Sequence, residues 1–151
     1  MTVVAVCLPL NSMQGIELKY KQVNSDTVIQ RLKDAPEKDS ERATELKKMF
    51  AEVGCEANEE WVKHLHEPNI ICVLPGKSDS VIVVAGHLDH AEEGDGIVDD
   101  WSGASMLPTL YQSLSDQPRA HTFVFIGFAG EEQGLVGSEF YTKHLLPERA
   151  T

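Results

Sequence analysis

Three short groups of metal-capable side chains interrupt an otherwise apolar pattern: Gly86-His-Leu-Asp-His90, Asp99-Asp100-Trp-Ser-Gly103 and Gly130-Glu-Glu-Gln133. Imidazole and carboxylate together suit a borderline divalent cation such as zinc, with manganese or cobalt able to substitute. On an extended strand residues two apart share a face. The Asp89 carboxylate is therefore expected to accept the second ring N–H of His87, a partner that fixes the tautomer of a metal-binding histidine. Glu131 and Glu132 are adjacent and point in different directions, which permits two jobs. One carboxylate can bind a metal while the other faces a reacting water as general base.

Taken singly, each group has a plainer reading. A lone histidine at a strand end is usually structural, and His90 reads as a surface or pocket-wall residue. Asp99 and Asp100 suit a solvated turn, with Ser102 capping the helix that follows. The glutamates suit the first turn of a helix, where the dipole favours negative charge. Other chemistries fare worse. A glycosidase needs two carboxylates across a cleft about 5 to 9 Å apart, which an adjacent pair does not supply. Gly76-Lys-Ser78 resembles the end of a phosphate-binding loop, but Ile71 stands where the first glycine belongs and a strand follows. No Gly-x-Ser-x-Gly elbow is present. Cys7, Cys55 and Cys72 lack metal-ligand spacing and allow at most one disulfide.

The elements that must position these groups follow from periodicity. Apolar residues at helical spacing predict helices over Ser25–Leu32 and Ser40–Val53, broken at Ala35-Pro36, with Gly54 ending the second. Asn69–Leu74 and Ser80–Gly86 are short and rich in β-branched residues, and read as strands buried on both faces. A helix opens near Ser102, where Pro108 predicts a kink or a late start. His121–Ala129 reads as a further strand, and Gln133–Leu145 as a helix ending before Pro147. Alternating strands and helices predict an α/β fold, a three-layer α/β/α sandwich around a mostly parallel or mixed sheet. If the two strands that run into His87 and Glu131 are parallel, their C-terminal ends share a rim, where open α/β sheets build their sites.

The whole chain has 151 residues, 42% of them hydrophobic, and a formal net charge of -11. A chain of this length can bury roughly 70% of its unfolded surface, enough for a core without staples. The acidic balance argues against nucleic acid and anionic lipid as partners. Residues 1–24 form an N-terminal segment before the domain at 25–151. Its apolar stretch Val3–Leu10 is too short to span a bilayer. It could be the remnant of a secretory leader, although no basic residue precedes it and no small-x-small site follows.

In combination and in order, the motifs between Asn69 and Tyr141 resemble the co-catalytic two-zinc aminopeptidase family. This clan takes in leucyl aminopeptidases, glutamate carboxypeptidase and glutaminyl cyclases. Gly86-His-Leu-Asp89 ends a strand, Asp99-Asp100-Trp-Ser-Gly103 opens a helix, and Phe128-Ala-Gly-Glu-Glu-Gln-Gly-Leu-Val-Gly-Ser138 follows. The resemblance implies removal of N-terminal residues from peptide substrates, with His87 on one zinc, Asp99 bridging two, Glu132 on the second and Glu131 as general base. It adds Asp89 as the catalytic partner of His87, a cis peptide after Asp99, and a secreted or periplasmic location. The family also needs an Asp or Glu and a His beyond the Glu-Glu motif. No Asp follows Glu132, and Glu139 and His144 are expected on a helix surface. These departures suggest the N-terminal portion of a longer catalytic domain, and keep open a silent scaffold of the same fold or a single-zinc cyclase.

Overall fold

The computed structural model describes residues 19–149, with side chains as far as residue 145; the apolar stretch Val3–Leu10 lies outside the described residues. Helix α1 (Ser25–Lys33) begins where the Asn24 side chain accepts the Asp26 N–H at 2.9 Å, satisfying a donor of the first turn. Pro36 separates it from α2 (Asp39–Glu52), which ends just before Gly54 at φ 86°. Strands β1 (Asn58–Trp61), β2 (Pro68–Leu74) and β3 (Val81–His87) follow. An irregular turn at Ile97–Trp101 then leads into α3 (Ser102–Ser115), β4 (Thr122–Phe128) and α4 (Val136–Arg149).

The described strands form one sheet in the order β1-β2-β4-β3, mixed as expected. The pairings β1–β2 and β2–β4 are antiparallel, and β4–β3 is parallel. Helices cover both faces, because residues three apart on β4 point to opposite sides. Phe125 meets Tyr111 of α3 edge-on at 5.9 Å, while Phe128 meets Tyr141 of α4 at 5.9 Å. The core between α2, α3 and the sheet contains Leu46, Met49, Phe50, Ile70, Leu107, Tyr111 and Phe125. Side chains of this size each contribute about 2 kcal/mol on burial. Cys55 and Cys72, both buried, form a disulfide that ties the end of α2 to β2 across 6.4 Å between Cα atoms.

Several expectations are corrected. Strand β3 is at the sheet edge and is not buried on both faces: Val81, Ile82 and Val83 are 39, 39 and 46% exposed. Strand β1 carries the polar run Asn-Glu-Glu-Trp and shows no apolar alternation; its pairing with β2 alone makes it a strand. Helix α3 starts at Ser102 and runs through Pro108, whose ring is buried in the core. Ser102 is not its cap. Its hydroxyl donates back to the Val98 carbonyl at 3.1 Å, and Asp100 accepts the Gly103 N–H at 3.1 Å instead. Helix α4 begins at Val136, three residues later than expected, and continues through Pro147. The delay follows from positive φ at Gly134 and Leu135, which no helix accommodates.

Candidate metal centre

The parallel register sets His87 opposite Phe128, so the turn that leaves β4 carries Glu131 and Glu132 to the same rim as the end of β3. One ligand-capable atom from each of His87, Glu131 and Glu132 falls within 4.8 Å of the others. The Asp99 carboxylate reaches in from the third segment, 3.0 Å from His87 Nε2, and Glu131 lies 4.0 Å from the same nitrogen. An imidazole nitrogen ringed by carboxylates is the donor chemistry that zinc takes, so the residues present fit the ion.

His87 is held from both sides. Its Nδ1 faces the Asp89 backbone carbonyl at 3.0 Å and its Nε2 faces Asp99. Burial of the ring pulls its pKa down, but Asp99, the Asp89 carbonyl and the charges of Asp89 and Asp100 more than offset this. The net shift is upward from the ordinary histidine value.

The sequence placed Asp89 beside His87 but chose the wrong atoms. The Asp89 carboxylate is 3.7 Å from Nδ1, and the carbonyl takes the ring N–H instead. The 1% exposed carboxylate accepts the backbone N–H groups of Glu131 at 2.9 Å and Glu132 at 3.0 Å, fastening the glutamate turn to the end of β3. Asp99 arrives through a cis Asp99–Asp100 peptide, as the resemblance implies. Its neighbour Asp100 accepts the His87 N–H at 3.2 Å as well as that of Gly103. Gly103 has no room for a side chain, since a Cβ there would come within 2.3 Å of the Asp100 carboxylate.

Asn69 was missed as a site residue. Fully buried on β2, it accepts the Ala129 N–H at 3.0 Å and donates to the Gly137 carbonyl at 3.0 Å, gripping both ends of the glutamate turn. Its place at the head of a predicted strand was the only signal. His90 pairs with Asp39 at 2.7 Å and stays apart from the cluster, in keeping with a pocket-wall role. Glu139 pairs with Lys143 at 2.9 Å and His144 faces the Phe140 carbonyl at 2.7 Å, both on the exposed surface of α4. Neither joins the centre.

Residues 69–151 match the model of "Peptidase family M28". The chain is 34% identical over 93 residues to aminopeptidase Y of Saccharomyces cerevisiae, covering 61% of this chain and 17% of that protein. It is 37% identical over 82 residues to a probable zinc metalloprotease of Pyricularia oryzae, covering 48% of this chain and 16% of that protein. The chain thus spans less than a fifth of the length of these relatives. In fold it is similar to the LapA aminopeptidase of Legionella pneumophila, with a TM-score of 0.64 at 22% identity over 82% of this chain and 38% of that one. Matched over more than half its length and carrying the motifs in order, the chain belongs to peptidase family M28.

Proposed function

We propose that this chain takes part in zinc-dependent hydrolysis of peptide bonds, removing N-terminal residues from peptides. The observation that carries the reading is the convergence of His87, Glu131 and Glu132 within 4.8 Å, with Asp99 beside them, at the end of two parallel strands. His87 Nε2, Asp99 and Glu132 would hold the metal, with Asp99 shared in a site of two ions. Zinc when bound polarises the scissile carbonyl and lowers the pKa of water. Glu131 Oε2 accepts the proton of the attacking water and returns it to the departing amine. Its partly exposed carboxylate faces the centre, and its backbone is fixed by Asp89, so the oxygen is available for that transfer. Asp89 orients His87 through its carbonyl and the glutamates through its carboxylate.

Hydrolysis of aminoacyl-nitroanilides by the zinc-supplemented protein tests the reading. Glu131→Gln should lower turnover by about 10²- to 10⁴-fold while zinc affinity stays within a few-fold of wild type. Turnover unchanged by that substitution would remove Glu131 from the chemistry. One observation favours a second reading, a binding scaffold of the same fold. Beyond Glu132, neither Glu139 nor His144 reaches the centre. Zinc bound without hydrolysis in the wild type would favour the scaffold.

A further inference from the structure

The segment Leu88–Gly96 has no regular structure, yet it links two of the groups in the metal centre, His87 at one end and Asp99 just beyond the other. A connection of this kind costs ordering entropy, and its exposed middle, residues 91–95, cannot supply the packing to recover it. Its start is anchored to β4 and the glutamate turn through Leu88 and Asp89, and α2 ties that start to its far end. The Arg42 side chain leaves the helix and enters the core at 1% exposure, with its guanidinium 5.8 Å from the centroid of the fully buried Trp101 ring. There, among the described residues, it donates only to backbone carbonyls: Nε to Pro36 at 2.9 Å, Nη1 to Leu88 and Gly96 at 3.3 Å each, and Nη2 to Asp95 at 2.6 Å.

We propose that Arg42 is a positioning residue of the metal centre, tying the start of this segment to its end and so fixing how far His87 stands from Asp99. The proposal rests on the reading that these two residues hold a metal. Leu88 follows His87 directly, and Gly96 accepts the N–H of Trp101 at 3.1 Å, so a guanidinium bridging their carbonyls acts on both sides of the 3.0 Å contact between His87 and Asp99. Only a planar fork can do this. A lysine carries the same charge on one point and cannot reach four carbonyls in different directions. Asp39, Asp89 and Asp95 surround the buried cation, and Asp39 also pairs with His90 inside the segment. Gly96 shows how tight the fit is. At φ 54° its Cβ, if present, would lie 2.8 Å from Arg42 Nη1 and 2.3 Å from the His90 Cβ.

The test compares wild type, Arg42→Lys and Arg42→Gln by amide hydrogen exchange without metal and by zinc calorimetry. The expected result is faster exchange at Leu88 and Trp101, unchanged exchange in β2 and β4, and zinc affinity reduced at least tenfold in protein with a wild-type near-ultraviolet spectrum. Exchange that rises throughout the molecule, or zinc affinity equal to wild type in a folded variant, overturns the proposal. If Arg42→Lys does not fold, Arg42→Gln decides in the same terms, since it keeps a planar donor too short to reach both Leu88 and Gly96. Wild type and His87→Ala binding zinc equally would sink the metal-centre reading instead. Arg42 would then be judged by exchange alone, and unchanged protection at Leu88 and Trp101 would overturn its role.

Discussion

At the scale of residues, the Asp89 carboxylate sets the centre by accepting two backbone N–H groups, those of Glu131 and Glu132, in a site closed to water. Asparagine at this position keeps one acceptor oxygen and turns an NH₂ group toward a backbone donor. Asp89→Asn should therefore destabilise the metal-free protein by about 1 to 3 kcal/mol in urea denaturation, the cost of an unsatisfied buried donor. A loss well under 1 kcal/mol would mean that water or a shifted backbone takes the carboxylate's place. The strand alternation made Asp89 legible as a neighbour of His87, because period two fixes the face of a residue. It could not say whether carbonyl or carboxylate meets the ring, since that depends on where the glutamate turn arrives. Arg42 left no local trace, and Asn69 only its place at the head of a predicted strand. The bonds that tie them to the site go to backbone groups, 46 residues away at Leu88 and 68 away at Gly137, and backbone groups carry no sequence signal.

At the scale of elements, the strands and helices with strong periodicity were legible, and those made by pairing or by turns were not. The second helix, the apolar strands and the break at Pro36 follow from spacing alone. Strand β1 exists because β2 offers it an edge, and α4 starts late because Gly130, Gly134 and Leu135 all have positive φ in the turn that presents the glutamates. The same limit explains β3. Its Val-Ile-Val-Val run has the composition of a central strand, but only its pairing partners decide where it lies, and one side of its backbone is unpaired among the described residues. An apolar edge is a template for another strand. The chain should self-associate with rising concentration in sedimentation velocity, and Val83→Lys should shift it toward monomer. A monomer at all concentrations for the wild type would contradict this.

At the scale of the whole molecule, a chain of net charge -11 is fastened by one disulfide among the described residues, Cys55–Cys72, across 17 positions of sequence. Closing a loop of that length stabilises by about 3 kcal/mol through the unfolded chain, and such a bond persists in oxidising compartments. Dithiothreitol should lower unfolding free energy by about that amount in the metal-free protein; stability unchanged by reduction would count against the bond. No described helix is long and apolar enough to cross a membrane.

The proposed zinc centre consists of His87, Asp99, Glu131 and Glu132. Calorimetric titration with zinc of the wild type beside His87→Ala and Glu132→Ala tests it most directly. Saturable binding in the wild type, weakened at least tenfold in both variants with their folds intact, is the predicted result. Wild-type binding that neither substitution weakens would place the zinc elsewhere.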